Sequence, residues 1–233
     1  MPDMDNVRVL LSARAGVYRT LQNALGNEPS REMLEQLTGD AAQGVLLLFD
    51  TGQKGYREAV ESLLAVSAEH LEGGDEALSA LEGRFTRLFV GPGGTEGNPW
   101  ESFYLNTDKA IRQGVTLEVR KAYVAQGLIP QAYPSVSDDH MAIELDFLAK
   151  LAERAEEAWT DDDAGKALDA LDALDASEAF LRGHLMRWAG LFAAALGRAK
   201  HGASFYQELS EVLTAFVPID LEALAEIQNE IKG

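Results

Sequence analysis

Two side chains capable of metal binding, His140 and Glu144, lie four residues apart in a segment with helical periodicity. This spacing places both side chains on one face of a helix, one turn apart. The pair could supply two ligands to a metal ion, although metal sites normally need three or more protein ligands. One hypothesis is therefore a helical-bundle enzyme with a metal held by His140 and Glu144.

A structural contact between the same two residues is the alternative. Glu144 falls on the apolar stripe of its helix, together with Phe147, Leu148 and Leu151. A buried carboxylate is costly unless it is paired, and His140 is the nearest candidate partner. The other three histidines of the chain have no matching spacing. This pattern favours a structural His–Glu contact over a metal site.

Acid–base catalysis by the adjacent Asp139 and His140 has little support elsewhere in the chain. No nucleophile motif accompanies the pair, and the Gly-Pro-Gly-Gly run at 91–94 lacks the Lys-Ser/Thr ending of a phosphate-binding loop. The chain has no cysteine, which excludes thiol catalysis, disulfides and thiolate metal sites. We therefore predict a protein that is not an enzyme.

A glycine- and proline-rich loop that ends in aromatic residues is the most distinctive segment of the sequence. Residues 85–104 read FTRLFVGPGGTEGNPWESFY, and Trp100, Phe103 and Tyr104 follow directly after the last proline. Glycine and proline interrupt helices, and such loops usually run over the surface. These aromatic rings must either pack in the core or face a ligand.

The helix before this loop carries more large apolar side chains on one face. Phe85, Leu88 and Phe89 have helical spacing and share that face. Aromatic residues at this spacing are more often core than binding site, so both interpretations remain open. A groove for an apolar peptide, lined by the loop and by the Asp139–His140 junction, is the functional hypothesis. A helical adaptor without a peptide groove is the alternative.

Composition and charge limit the partners of the protein. The net charge is 20 − 38 = −18, which disfavours nucleic acid and anionic membrane surfaces and suits a cationic partner. The N-terminal residues resemble no signal peptide, and no apolar run approaches the roughly 18 residues of a membrane span. We expect a cytoplasmic protein without stable membrane insertion.

The elements that must position these residues are helices throughout, and no strand or repeat is predicted. The predicted helices span 7–25, 30–49, 56–70, 75–89, 107–125, 137–159, 166–198, 204–216 and 221–231. Ser30 is a candidate N-cap, and Gly39 and Gly44 are weak points of the second helix.

Helix boundaries in the second half follow from capping and proline signals. Ser137 is the candidate N-cap of the helix that contains Glu144, with Asp138 and Asp139 in the first turn. Pro218 is expected to open the last helix. The proline-containing segment 126–137 is expected to connect two helical lobes, and 161–163 is an acidic turn.

Several sequence blocks, in order, resemble the TorD/DmsD/NarJ family. The blocks are RLFVGPG at 87–93, NPWESFYL at 98–105, TLEVRKAYVAQGL at 116–128, SDDHMAIELDFLAKLAE at 137–153, FLRGHLMRWAGLF at 180–192 and ASFYQEL at 203–209. The family consists of cytoplasmic chaperones, also called redox enzyme maturation proteins, for molybdoenzymes of anaerobic respiration. The resemblance implies one continuous all-α, TorD-like domain, with lobes at 1–130 and 131–233 joined by a hinge.

The resemblance also implies the partners. Family members bind the twin-arginine signal peptide (the leader) and the apo-form of a molybdoenzyme catalytic subunit until its cofactor is inserted, which delays export. No resident cofactor is implied, although weak guanine-nucleotide binding has been proposed for the family. Either a monomer or a domain-swapped homodimer is compatible with the resemblance.

The leader-binding positions carried over by the resemblance lie in three motifs. They are Phe85, Leu88 and Phe89; Pro99 and Trp100; and Asp139 and His140. Tyr104 adds an aromatic ring to the second motif. Glu101 and Asp139, together with the net charge of −18, could attract the arginines of a leader.

Overall fold

Helices account for most of the residues described, as the periodicity predicts. The computed structural model describes residues 4–53, 55–90, 97–105, 113–131, 136–159, 164–199 and 204–232. The helices are α1 (Met4–Gly26), α2 (Arg31–Thr38), α3 (Asp40–Leu48), α4 (Tyr56–Glu72), α5 (Gly74–Phe85), α6 (Glu101–Leu105), α7 (Gln113–Ala125), α8 (Met141–Ala158), α9 (Ala164–Phe180), α10 (Met186–Gly197) and α11 (Ser204–Lys232).

Two π-helical turns interrupt the regular α-helical pattern. The turn Thr86–Val90 extends α5, and the turn Leu181–Leu185 joins α9 to α10. The second of these turns contains Gly183 and divides the helix that the sequence predicts across 166–198. Both turns lie close to the candidate site, and π-helical turns are often found at functional sites of proteins.

The local signals at the start of the second helix are confirmed. The Oγ of Ser30 accepts a hydrogen bond from the backbone N–H of Met33 at 3.1 Å, so Ser30 is the N-cap of α2. Gly39, in extended backbone, separates α2 from α3. The helix predicted across 30–49 is therefore two helices, divided at the first of its two weak points.

The predicted start of α8 at Ser137 is wrong. His140 is the N-cap, and its Nδ1 accepts a hydrogen bond from the backbone N–H of Ala142 at 3.1 Å. Asp138 and Asp139 precede the helix instead of lying in its first turn. The sequence could not reveal this shift, because the Asp139 carboxylate bonds to another helix that is distant in sequence.

The predicted break at Pro218 is also wrong. Helix α11 runs through Pro218 without interruption from Ser204 to Lys232. An internal proline costs about 3 kcal/mol in an isolated helix. Val217 and Ile219 on either side of it are buried in the core, and this apolar packing outweighs the local preference.

The core is built from helices of both halves of the chain. α1 packs along α8, while α11 packs along α4 and α10. The buried apolar residues of all these helices form one cluster. The division into lobes at 130/131 and the hinge between them stay predictions. No helix within the described ranges has a segment long and apolar enough to span a membrane.

Some predicted features lie outside the described residues. These are the glycine-rich run 91–94, the acidic turn Asp161–Asp163 and residues 132–135 of the connecting segment.

Candidate functional site

Two motifs that are forty residues apart in the sequence meet through their backbones. Trp100 and His140 form an isolated antiparallel β-bridge, the one strand-like pairing found within the described ranges. Beside it, the backbone N–H of Glu101 donates to the carbonyl oxygen of Asp139 at 3.0 Å. The Pro–Trp and Asp–His motifs therefore form a single structural unit.

A second backbone hydrogen bond and an aromatic contact complete this junction. The N–H of Met141 donates to the carbonyl oxygen of Pro99 at 2.8 Å. The rings of Trp100 and His140 meet edge to face, with centroids 5.4 Å apart and an interplanar angle of 82°. This arrangement is favourable for aromatic pairs and fixes both rings at the start of α8.

The buried carboxylate of Asp139 connects several segments of the junction through hydrogen bonds. Its side chain is fully buried and accepts hydrogen bonds from the backbone N–H of Ser102 at 2.9 Å and from the hydroxyl of Thr116 at 3.1 Å. The hydroxyl of Ser137 donates to the same carboxylate. Because Ser102 lies in the first turn of α6, Asp139 supplies an acceptor to the free N–H groups of that helix.

Two buried glutamates lie next to the junction, each with a partner from the second half of the chain. Glu101 is fully buried, and its Oε2 lies 2.9 Å from Nδ1 of His184. Glu144 is also fully buried, and its Oε2 accepts a hydrogen bond from the indole N–H of Trp188 at 3.1 Å. Burial raises the pKa of Glu144 well above its usual range, and the neighbouring Glu101 carboxylate acts in the same direction.

The predicted His140–Glu144 pair does not form. Nδ1 of His140 accepts from the N–H of Ala142, while Glu144 takes its hydrogen bond from Trp188. Burial lowers the pKa of His140 to about 4, so the imidazole is neutral near pH 7. No group of three or more possible metal ligands exists within the described part of the chain, and nothing there supports the metal-enzyme hypothesis.

The motif of Phe85, Leu88 and Phe89 faces the core more than a groove. Leu88 and Phe89 are only 4% and 7% exposed. The ring of Phe89 meets the rings of Tyr206 at 5.1 Å and Phe192 at 6.3 Å between centroids. Phe85 is half-buried and packs against Phe89. In this conformation, Leu88 and Phe89 are packed in the core and shielded from a ligand.

The accessible part of the site is aromatic. Trp100, Tyr104 and His140 are half-buried, and Phe103 is 54% exposed. These side chains can offer apolar and aromatic contacts to a ligand, and exposed apolar surface of this kind often marks an interaction site.

The two carboxylates that were expected to meet arginines are not on this surface. Glu101 and Asp139 are both fully buried, with no exposed side-chain area. A bound cation could reach them only if the junction opened. The partner that the sequence missed is His184, whose only local signal was a histidine among apolar residues in the block at 180–192.

Comparison with known proteins supports the motif resemblance. The sequence profile of the nitrate reductase delta subunit family matches residues 50–194, which include the whole junction. Chaperone protein TorD of Shewanella sp. (strain ANA-3) is 27% identical over 223 residues, which is 93% of this chain and 96% of that protein.

Two further TorD relatives extend this comparison. Chaperone protein TorD of Aeromonas salmonicida is 31% identical over 154 residues, 66% of this chain and 65% of that protein. The TorD chaperone of Aliivibrio salmonicida is 23% identical over 224 residues, 95% of this chain and 99% of that protein. On this evidence the chain belongs to the nitrate reductase delta subunit family, the TorD/NarJ group, whose members are chaperones and not enzymes.

Proposed function

We propose that this protein is a cytoplasmic maturation chaperone for a molybdenum-cofactor oxidoreductase. It binds the twin-arginine leader and the apo-form of the catalytic subunit, assists cofactor insertion and delays export. The observation that carries the proposal is the Trp100–His140 bridge, which joins two of the three leader-binding motifs into one aromatic surface.

The chemistry of this surface suits the apolar part of a leader. The rings of Trp100, Phe103 and Tyr104 are at least partly accessible, and their backbones are held by α6 and the junction. Apolar burial contributes about 25 cal/mol per Å², so covering 200 Å² would contribute roughly 5 kcal/mol before the entropic cost of binding. A surface that is already ordered lowers that cost.

The negative electrostatic field of the whole protein attracts the arginines of the leader. The net charge of −18 attracts a cationic peptide over the Debye length, about 8 Å at physiological salt, and raises the association rate. Direct pairing with Glu101 or Asp139 is not needed for this effect. The chain therefore selects the leader by apolar contact and accelerates encounter by charge.

Isothermal titration of the purified protein with synthetic twin-arginine leaders from molybdoenzymes of the same genome tests this proposal. Micromolar or tighter binding to one leader, weakened when its arginine pair is replaced by alanines, would support the proposal and identify the client. If the folded protein binds no leader, leader recognition is wrong, and a helical adaptor without a peptide site becomes the better account. Metal analysis of the same preparation tests the His140–Glu144 metal hypothesis.

A further inference from the structure

A small apolar cavity lies beside the junction and outside the motifs considered so far. It has a volume of about 210 Å³ and is formed by the end of α7 and the segment that follows it. Its walls include Tyr123, Val124, Leu128 and Ile129, with Asp138 on one side. None of these residues belongs to the leader-binding set carried over from the family resemblance.

The cavity is bordered by unusually exposed apolar side chains. Ile129 is 74% exposed, the highest value for any large hydrophobic side chain in the described ranges, and Val124 is 60% exposed. Scattered surface apolar residues need no explanation, but these two line one concave site. A ligand that fills the cavity would remove both from water.

Asp138 gives the cavity a polar wall with unused capacity. Its side chain is 1% exposed, and its Oδ2 accepts a hydrogen bond from Nε of Arg120 at 2.5 Å. Its backbone carbonyl accepts from the hydroxyl of Tyr123 at 2.9 Å. The other carboxylate oxygen, Oδ1, is buried and has no hydrogen-bond partner within the described ranges. A buried acceptor without a partner is costly, so a guest N–H would relieve that cost if the Asp138 side chain turned Oδ1 toward the cavity.

The size of the cavity limits the guest. Pockets for small molecules are usually about 300–1,000 Å³, so about 210 Å³ is too small for a nucleotide or cofactor. It suits one large aliphatic or aromatic side chain. An extended peptide provides such a side chain and an adjacent backbone N–H together.

The cavity is also close to the proposed leader site. Asp138 is two residues from His140, so their Cα atoms are at most about 7.6 Å apart. An extended peptide rises about 3.3 Å per residue, and three residues cover that distance. One peptide bound against Trp100 and His140 is therefore long enough to reach the cavity wall at Asp138.

We propose that this cavity binds one large apolar side chain of the leader, and that the Asp138 side chain turns so that Oδ1 accepts from a leader N–H. The inference rests on the proposed function and adds a specificity pocket to it. The leader, whose arginine pair is followed by an apolar stretch, would then be recognised at two points. The aromatic junction would bind one part, and the cavity would select a large side chain at one defined position.

A double-mutant cycle between protein and peptide tests the pocket. Ile129→Ser removes apolar surface at the rim without adding charge, and Leu168→Ser is the matched control because Leu168 on α9 is 67% exposed and does not line the cavity. Each variant is titrated with the leader that binds wild type most tightly, and with a series in which each apolar leader residue is replaced by alanine. Thermal unfolding establishes that both variants are folded.

The expected result is about tenfold weaker binding for Ile129→Ser and wild-type binding for Leu168→Ser. The loss should vanish for the one alanine peptide that lacks the side chain occupying the cavity. If the Ile129→Ser effect is absent, or equal for every peptide, the pocket inference is wrong even though wild type binds the leader. If wild type binds no leader, it is the proposed function that fails.

Discussion

His140 shows how burial and hydrogen bonding set the state of one side chain at the junction. Burial lowers its pKa to about 4, and the resulting neutral imidazole leaves Nδ1 free to accept the N–H of Ala142. The same residue therefore caps α8 and presents its ring to Trp100. These two roles can be separated by substitution.

His140→Asn should keep the cap and remove the ring, because asparagine is among the best N-cap residues. We expect a loss of about 1 kcal/mol or less in the free energy of unfolding, and leader binding at least fivefold weaker. His140→Ala should lose the same affinity and about 1 kcal/mol more stability. Urea denaturation and calorimetric titration measure the two effects. If the asparagine variant bound the leader with wild-type affinity, the His140 ring would not be part of the binding site.

Glu144→Gln tests whether the buried carboxyl group of Glu144 is protonated in the folded protein. The raised pKa of Glu144 means that the folded protein favours its protonated form. Its contribution to stability is therefore fully present below the unfolded-state pKa near 4.5 and is lost as the pH rises toward the folded-state value. Glutamine resembles the protonated carboxyl, so the variant should lose less stability than wild type between pH 5 and pH 8.

Parallel pH titrations of unfolding for wild type and Glu144→Gln measure this difference. Glu101, Asp139 and His184 are present in both proteins. Because the Glu101 carboxylate interacts with Glu144, the difference in slope is assigned to the Glu101–Glu144 pair. Identical slopes would mean that Glu144 is ionised in the folded state.

Some site residues could be identified from the sequence and others could not. The burial of Glu144 followed from its place on the apolar stripe, and the Pro–Trp and Asp–His motifs came from the family resemblance. The Glu101–His184 contact joins residues 83 positions apart, and no local spacing encodes it. The burial of Phe89 was not decided by the sequence, because aromatic residues at helical spacing are more often core residues but can also line a groove.

At the scale of elements, the short helix α6 depends on a residue from outside itself. Five residues are too few for an independent helix, and the Asp139 carboxylate accepts the N–H of Ser102 in its first turn. α6 follows Trp100 directly and carries Tyr104, so its order sets the shape of the aromatic surface.

Asp139→Asn should weaken this element, since an amide offers one acceptor oxygen where the carboxylate offers two. We expect a loss of about 1–3 kcal/mol in the free energy of unfolding. Leader binding should weaken by a factor that does not depend on salt, because Asp139 is fully buried and acts through α6. Hydrogen exchange at 101–105 and titrations at two salt concentrations provide the measurements. A strongly salt-dependent loss would instead indicate direct pairing with the leader arginines.

Helix boundaries were predictable where the signal was local. The roles of Ser30 as the N-cap of α2 and of Gly39 between α2 and α3 were predictable, because each residue acts on backbone groups within a few positions of itself. Ser137 is not the N-cap of α8, because its hydroxyl donates a hydrogen bond to Asp139. The Asp139 carboxylate in turn accepts the N–H of Ser102 in α6. Pro218 failed as a break because the core packing of α11 is not visible locally.

At the scale of the molecule, a buried ion pair ties the first helix to the last. Arg14 on α1 and Asp220 on α11 are fully buried, with Nε and Oδ1 at 2.5 Å and Nη2 and Oδ2 at 3.1 Å. The hydroxyl of Tyr18 donates to the same carboxylate. Breaking such a pair leaves a buried charge without its partner.

Asp220→Asn should therefore cost about 3–5 kcal/mol in the free energy of unfolding. Glu178→Gln, which breaks the exposed pair with Arg182 on one helix surface, should cost less than about 1 kcal/mol. Chemical denaturation of the two variants gives the comparison. Similar small losses in both would show that the α1–α11 connection does not depend on this ion pair.

The most direct test of the whole account is the affinity of the client leader for Trp100→Ala. Trp100 is half-buried at the junction and belongs to the accessible aromatic surface. We predict at least tenfold weaker leader binding than wild type by calorimetric titration, with the helical circular dichroism signal and the unfolding temperature largely retained. A folded Trp100→Ala protein that binds the leader as tightly as wild type would contradict the assignment of this junction as the leader site.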